Sequence, residues 1–175
     1  MHNVPEPCKI VVMGVSGCGK SLIGAQLASS LGIPFYDADD FHSQSNVIKM
    51  AQGIPLDDED RAGWLSDLAK LLSQETALVL GCSALKRRYR ERLSRDEPNV
   101  VFIYLEGDFA TIRNRLAGRQ DHYFKGDDML QSQFAQLEPP GKNEAVTVSI
   151  DQPPEAVVQN CLNALIHYNA SPASC

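Results

Sequence analysis

The sequence predicts an α/β fold in which helices cover both faces of a parallel β-sheet. Short apolar segments, rich in β-branched residues, alternate with longer segments of helical periodicity. The octet Gly14–Ser21 (GVSGCGKS) fits the pattern G-x-x-x-x-G-K-[ST] and lies between a strand-like and a helix-like segment. Together these observations predict a phosphate-binding loop at the carboxyl edge of the sheet, where ligands bind in open α/β folds.

The alternation predicts five strands and seven helices within one domain spanning residues 1–175. A polar tail at residues 169–175 is expected to be frayed. The predicted strands are Lys9–Met13, Ile33–Tyr36, Ala77–Gly81, Val100–Leu105 and Val146–Ile150. The predicted helices are Ser21–Leu31, Ser43–Ala51, Asp58–Ser73, Lys86–Ser94, Asp108–Ala117, Met129–Leu137 and Pro154–His167.

The composition of the chain argues against several classes of binding partner and against an oxidising compartment. A net charge of −6 argues against nucleic acid, because proteins that bind the phosphate backbone usually carry a basic face. Five scattered cysteines without a C-x-x-C pair predict free thiols in a reducing compartment. The sequence has neither an apolar run of membrane-spanning length nor a signal-peptide core. We therefore expect a cytoplasmic protein that binds neither nucleic acid nor membrane.

The glycine-rich octet predicts an ATP site with Mg²⁺. Gly14 and Gly19 permit a close approach of the backbone to phosphate, which a side chain would block. Lys20 places a point charge on the β- and γ-phosphates, and the Ser21 hydroxyl is a ligand for Mg²⁺. The residues expected to contact the nucleotide here are Gly14, Val15, Ser16, Gly17, Cys18, Gly19, Lys20 and Ser21.

An acidic loop follows the second predicted strand. Carboxylates at such a strand end either hold Mg²⁺ or accept a proton from an attacking hydroxyl, and Asp37 and Asp39 are the candidates. The two would share a side if the chain stays extended. Asp40 is as well explained as a helix cap or a solvated residue. His42 either binds substrate or faces solvent.

The third predicted strand ends in Cys82 rather than in the metal-binding aspartate common in phosphate-loop enzymes. Another carboxylate must then serve. Glu106 and Asp108, which follow the fourth strand, compete with the acidic loop for that role.

Several basic residues are candidates for contact with an anionic substrate. Lys86 and Arg90 lie four residues apart on one helix face, just beyond a strand. Ser83 precedes them and either caps this helix or bonds a substrate hydroxyl. Arg61 either pairs with the acidic turn at 57–58, one of whose aspartates caps a helix, or grips a substrate carboxylate or phosphate.

Arg115 and Arg119 lie four residues apart at the end of the predicted helix Asp108–Ala117, where the chain leads into a polar loop at about residues 119–128. Such a loop is suited to close over a nucleotide as a small lid and to deliver a guanidinium to the transferring phosphoryl group. Capping of the helix end explains one of these arginines well and two less well. We also expect His122, within the loop, to contact substrate.

With these motifs in place, the chain resembles the gluconate kinase family. The resemblance extends from about residue 10 to about residue 167 and depends on the stretches MGVSGCGKS, FYDADDFH, GIPLDDEDR-x-x-WL and CSALK. It implies the fold of the shikimate and adenylate kinases, a P-loop kinase with three α/β/α layers, a sheet in the order 2-3-1-4-5 and a lid. It also implies transfer of phosphate from ATP to the 6-hydroxyl of D-gluconate, and a homodimer.

The same resemblance implies roles for individual residues. Asp37 matches the carboxylate on the metal side, and Asp39 matches the residue that faces the acceptor hydroxyl. Arg61 matches the arginine that grips the acid in shikimate kinases. Arg115 and Arg119 repeat a lid spacing in which the first stacks on adenine and the second reaches phosphate. The adenine-side loop corresponds to Asp151, Gln152 and Pro153.

Two other functions compete with a gluconate kinase. One is a kinase of another small hydroxy acid or of a nucleoside monophosphate, and the other is a nucleotide-dependent switch. A guanine-specific switch would carry N-K-x-D, which is absent, and a nucleotide acceptor needs an apolar slot where this chain offers charged and hydroxyl groups. Only the resemblance separates gluconate from similar sugar acids.

Overall fold

The computed structural model describes residues 8–117 and 126–170, in which a parallel sheet forms the centre of the fold. The strands are β1 (Lys9–Met13), β2 (Phe35–Asp37), β3 (Leu78–Gly81), β4 (Val101–Glu106) and β5 (Ala145–Ser149). Their order across the sheet is β2-β3-β1-β4-β5, and every neighbouring pair is parallel. The predicted strand order is confirmed.

Seven helices and a short 3-10 turn, Ala38–Phe41, connect the strands in the described residues. The last helix continues into the tail that was predicted to be frayed. Most of the predicted lid lies outside the described residues, and residues 126–128 begin a helix instead. The helices are α1 (Lys20–Leu31), α2 (Gln44–Ala51), α3 (Asp58–Gln74), α4 (Arg87–Ser94), α5 (Phe109–Ala117), α6 (Gly126–Gln136) and α7 (Pro154–Ala170).

The central strand β1 buries side chains on both of its faces. Successive residues of a strand point to opposite sides, so Ile10 and Val12 face one layer of helices while Val11 and Met13 face the other. The first layer contains α1 and α7, and the second contains α3 and α4. This arrangement explains why the strands are almost uniformly apolar and confirms the three-layer α/β/α architecture.

The acidic loop is held against α3. This helix begins with a capping box in which Asp57 and Asp60 each accept a hydrogen bond from the main-chain N–H of the other. One turn further on, the indole N–H of Trp64 donates to the main-chain carbonyl of Ala38 at 2.7 Å. The buried indole thereby fixes the 3-10 turn that carries two of the loop's aspartates.

The observed element boundaries differ from the predicted ones by up to three residues. Strand β2 begins at Phe35 rather than Ile33 and extends to Asp37, so the first aspartate of the acidic loop is the last residue of the strand. Helix α6 begins at Gly126, three residues before the predicted start. Within residues 8–117 and 126–170, none of the helices is long and apolar enough to cross a bilayer.

Candidate active site

The phosphate-binding loop connects β1 to α1, as predicted. Gly14 has a φ of 148°, and a Cβ there would lie 2.7 Å from Cys18 Sγ and 3.0 Å from the carbonyl oxygen of Leu105. Gly19, the N-cap of α1, has a φ of 96°. Because this N-cap has no side chain, the first N–H groups of α1 remain available to an anion.

Lys20 lies over the loop. Its Nζ donates hydrogen bonds to the main-chain carbonyl oxygens of Gly14 and Val15 at 3.0 and 3.1 Å. An ammonium held on the loop that surrounds a phosphate site is placed to neutralise phosphate charge.

Two oxygen-bearing side chains meet beside this loop. The Ser21 hydroxyl donates to Oδ2 of Asp37 at 3.1 Å, and the other carboxylate oxygen of Asp37 accepts the main-chain N–H of Asp39 at 2.9 Å. Hydroxyl and carboxylate oxygens are ligands that suit Mg²⁺, which usually binds through one or two protein groups plus phosphates and water. The described residues contain no group of three or more His, Cys, Asp and Glu that could hold a metal alone.

Asp39 differs from Asp37 in its surroundings. The 3-10 turn begins at Ala38, so the chain does not stay extended, and the condition under which both carboxylates would share a side is not met. The Asp39 side chain is 85% exposed, and its pKa is raised, first by desolvation within the cleft and next by the Asp37 charge, while Lys20 opposes the shift.

His42 does not face solvent, which removes one of its two predicted roles. Its side chain is 5% exposed and stacks on Trp64, with ring centroids 4.4 Å apart and an interplanar angle of 11°. Nδ1 lies 3.3 Å from Nδ2 of Asn46, which also donates to the main-chain carbonyl of Asp60 at 2.9 Å. An amide nitrogen only donates, so Nδ1 accepts and the neutral ring carries its proton on Nε2.

The Nε2 atom of His42 lies 3.9 Å from Oδ1 of Asp39. Burial lowers the pKa of His42, and the Arg61 charge lowers it further, although Asp39 acts in the opposite direction. The lowered pKa favours the neutral ring, the form in which Nε2 carries the proton.

Arg61 does not pair with the aspartates of its own turn. Its Nη1 donates to the Tyr89 hydroxyl at 3.1 Å and its Nη2 donates to Oε1 of Gln136 at 3.4 Å. Asp57 is used in the capping box, and Asp58 binds Arg88 and the Tyr89 hydroxyl. The structural alternative predicted for Arg61 is thus wrong as far as those two carboxylates are concerned.

Three cations surround the Tyr89 ring. The guanidinium carbons of Arg61 and Arg88 each lie 5.5 Å from its centroid, and Nζ of Lys86 lies 5.9 Å away. Arg88 forms an ion pair with Asp58. Within residues 8–117 and 126–170, neither Arg61 nor Lys86 has a carboxylate within 4.0 Å. This absence of a carboxylate partner among the described residues distinguishes both cations from Arg88.

Comparison with known proteins places this geometry in a family. The family model described as "Shikimate kinase" matches residues 16–166. A protein of mouse (Mus musculus) named "Probable gluconokinase" is 44% identical, with 91% of this chain and 98% of that protein covered. The "Thermoresistant gluconokinase" of Escherichia coli (strain K12) is 45% identical, with 89% and 91% covered. The chain belongs to the gluconokinase branch of the shikimate kinase family.

A solved structure agrees with this assignment. The crystal structure of a gluconokinase from Sinorhizobium meliloti 1021 superposes on 95% of this chain and 98% of its own with a TM-score of 0.88 and 38% identity. The predicted resemblance, the P-loop kinase fold and the class of ATP-dependent kinase are confirmed.

In this gluconokinase-family chain, Arg90 is a structural residue, not the substrate contact that its helix position predicted. Its side chain is 2% exposed and pairs with Glu144. Its remaining N–H groups donate to the main-chain carbonyls of Ala84, Leu85 and Glu138 at 2.7, 3.1 and 2.9 Å. With all its donors engaged, Arg90 ties the β3–α4 loop to the α6–β5 connection.

The predicted cap of α4 is also wrong. The helix begins at Arg87 with Lys86 as its N-cap, and the main-chain N–H of Arg87 donates to Oε1 of Glu138. Ser83 lies further upstream, and its carbonyl accepts the main-chain N–H of Gly14 at 3.3 Å. Ser83 therefore lies beside the phosphate loop. Its predicted contact with a substrate hydroxyl remains a prediction.

Glu106, the last residue of β4, and Asp108 do not join the contact between Ser21 and Asp37. Asp108 accepts the main-chain N–H of Thr111 at 2.7 Å, which makes it a cap at the start of α5. Glu106 lines a separate cavity of about 540 Å³ with Asp108, Asp151 and Tyr104. Asp37, not Glu106 or Asp108, contacts Ser21.

Part of the predicted adenine side is described. The Arg115 guanidinium donates to the main-chain carbonyl of Ile150, next to the predicted loop. The Gln152 amide donates to the carbonyl of Ser149 at 2.7 Å and accepts from Asn160 at 3.1 Å, and Pro153 leads into α7. Arg119 and His122 lie outside the described residues.

Sequence reasoning missed Gln133. This α6 side chain accepts the main-chain N–H of Ser16 at 2.6 Å, and its amide nitrogen lies 2.8 Å from the Ser16 hydroxyl oxygen. A lone glutamine on a helix carries no signal of its partner 117 residues away.

Proposed function

We propose that this protein transfers the γ-phosphoryl group of ATP to the 6-hydroxyl of D-gluconate, giving 6-phosphogluconate. The observation that carries the proposal is that Arg61 and Lys86 share the Tyr89 ring and have no carboxylate partner among the described residues. The relatives named gluconokinase, similar over about nine-tenths of this chain, indicate which acid these cations bind.

The phosphate loop supplies the nucleotide half of the reaction. Lys20 neutralises the β- and γ-phosphates, and the loop N–H groups orient them. Ser21 and Asp37 would hold Mg²⁺, in agreement with their contact at 3.1 Å. Bound there, the ion would neutralise charge that develops on the phosphate oxygens.

The acid half begins with the guanidinium of Arg61, which binds the gluconate carboxylate through parallel N–H donors. Asp39 accepts the proton of the attacking hydroxyl while that oxygen bonds to the γ-phosphorus and the bond to the β-phosphate oxygen breaks. Electrostatic coupling supports the placement of Asp39 between the phosphate loop and Arg61. Lys20 and His42 both act on the pKa of Asp39, and Arg61 acts on the pKa of His42.

Other contacts belong to the same proposal. On the nucleotide side, Arg115 stacks on adenine, Arg119 reaches the transferring phosphate, and the Gln152–Pro153 turn borders the base. Ser83 and His122 bond the sugar acid. We also propose that the protein is a cytoplasmic homodimer. Light scattering coupled to size-exclusion chromatography measures the mass of the assembly and so tests the dimer.

A coupled assay with ATP and Mg²⁺ across gluconate, other aldonates, shikimate and nucleoside monophosphates tests the proposed substrate. We expect kcat/KM for gluconate to exceed that for every other acceptor by at least about 10²-fold, as a site with fixed hydrogen-bonding groups permits. A Lys20→Ala preparation, which removes phosphate neutralisation, serves as the inactive control. A higher kcat/KM with shikimate or a nucleotide would refute the assignment.

A further inference from the structure

Helix α6 contacts both halves of the site. Gln133 binds Ser16 of the phosphate loop through two hydrogen bonds, at 2.6 and 2.8 Å. Gln136, three residues later on the same helix, accepts a hydrogen bond from Arg61 at 3.4 Å. Residues three apart on a helix are neighbours on its surface, so one short rigid segment touches the nucleotide loop and the acid-binding arginine.

The contact between Gln133 and Ser16 is directional. The amide oxygen accepts from the main chain of Ser16, and the amide nitrogen bonds its hydroxyl oxygen, so both ends of the amide are used. If the amide were turned over, its NH₂ group would face the main-chain N–H of Ser16, and two donors cannot bond each other. The loop backbone at Ser16 is therefore held in one orientation from outside the loop.

The helix itself is anchored to the core. Leu130 is 1% exposed and belongs to the core layer that contains α1 and α7. Phe134 packs edge-to-face on Phe109 of α5, with ring centroids 5.6 Å apart. After the helix ends, the main-chain N–H of Glu138 donates to the carbonyl of Leu85 at 2.8 Å. An element fixed at several points transmits position to what it touches.

The loop needs such support. Its affinity for phosphate depends on backbone N–H groups that are already oriented when the anion arrives, because reorienting them on binding would weaken it. Glycines at positions 14, 17 and 19 leave the loop backbone few local restraints. The hydrogen bonds from Gln133 restrain the loop backbone at Ser16 from outside the loop.

We infer that Gln133 is a positioning residue that preorganises the phosphate loop, and that α6, through Gln133 and Gln136, sets the position of the nucleotide relative to the acid. The part concerning Gln136 rests on the proposed function, whereas the part concerning Gln133 requires only a nucleotide site. Neither glutamine takes part in the chemical step.

Gln133→Met tests the first part, since methionine keeps the length and helix propensity of glutamine but loses both hydrogen bonds. We expect the Kd for a non-hydrolysable ATP analogue with Mg²⁺, measured calorimetrically without acid, to rise about tenfold. Gln131→Met, at an exposed position of the same helix, should leave this Kd unchanged. Ser16→Ala, which removes only the hydroxyl partner, should raise the Kd about threefold and keeps the test available if Gln133→Met fails to fold.

Thermal unfolding of the same variants separates positioning from a purely structural role. A structural contact would lower Tm without changing the Kd of the folded protein, and an unchanged or lower Kd in Gln133→Met would overturn the inference. Gln136→Met should raise the KM for gluconate about threefold and leave the Kd of the ATP analogue unchanged. Unchanged gluconate KM in that variant would refute the part played by Gln136. Since the nucleotide measurement uses no acid, failure of the gluconate assignment would leave it unaffected.

Discussion

The acidic loop and the cation cluster at Tyr89 each contain two residues of one type with different partners. In the loop, Asp37 binds Ser21 and a main-chain N–H, whereas Asp39 is 85% exposed. At Tyr89, Arg88 pairs with Asp58, whereas Arg61 at the same 5.5 Å from the ring does not.

This comparison teaches that partners, rather than residue type or position, separate the two roles. A charge already matched by groups of the chain, as at Arg88, serves to hold structure. A charge without such a match is available to a substrate, as the perturbed groups of functional sites often are.

The largest effect should come from the carboxylate pair. Asp39→Asn keeps size and shape but removes the proton acceptor, so kcat should fall about 10²–10⁴-fold with little change in ATP binding. Asp37→Asn should instead raise the Mg²⁺ concentration needed for half-maximal rate. Magnesium titrations and single-turnover rates on both variants measure this contrast.

The roles of the two aspartates would have to be exchanged if Asp39→Asn showed the metal defect and Asp37→Asn the chemical one. If both variants kept normal rates and normal Mg²⁺ dependence, the loop would be only a solvated turn. Glu106 and Asp108 would then be the next carboxylates to replace.

Arg90 provides a third cation for the comparison, one whose donors are all engaged. Arg90→Met leaves Glu144 and several carbonyls unpaired, and we expect the free energy of unfolding to fall by about 3 kcal/mol, less if the partly exposed Glu144 regains water. Urea unfolding measures this loss. Arg87→Met is the matched control, because its pair with Glu91 is exposed and contributes about 0.5 kcal/mol or less. A raised gluconate KM with unchanged stability would restore the substrate role of Arg90.

Arg61 and Arg88 form the sharpest matched pair. Arg61→Ala should weaken gluconate binding by about 2–4 kcal/mol, seen as a higher KM, and spare ATP, because a shielded carboxylate loses its partner. Arg88→Ala removes a cation at the same distance from Tyr89 and should change either KM by about twofold at most. Equal effects of the two variants would show that the ring, rather than an uncompensated charge, matters for binding.

The smallest effect concerns pH. Asp39 must be ionised to accept a proton, and its pKa is raised, so kcat/KM should fall with decreasing pH at values above those of an ordinary aspartate. The Asp37 charge is one cause of the shift, and Asp37→Asn should therefore move this acid limb to lower pH. A limb that stays in place, measured at saturating Mg²⁺, would argue that another group controls it.

The sequence by itself determined the fold, because its signals are local. Apolar β-branched runs, helical periodicity and the octet 14–21 each depend on residues within one element. The strand order came only with the resemblance, and the structure agrees with it. That Ser21 and Asp37 lie close together was also foreseeable, since Asp37 ends β2, the phosphate loop before Ser21 follows β1, and the carboxyl ends of parallel strands meet at one edge of the sheet.

Tertiary structure alone decided which of these cations pair with a carboxylate in the part of the chain that the structure describes. The four-residue spacing predicted that Lys86 and Arg90 share one helix face, yet Lys86 is the N-cap of α4 and Arg90 is buried against Glu144, 54 residues away. Arg61 avoids its adjacent aspartates because Tyr89 and Gln136, from α4 and α6, meet it instead. Hydrogen bonds between residues distant in sequence produce no periodic or local pattern in the sequence. The partner of each charged side chain therefore depends on the tertiary structure.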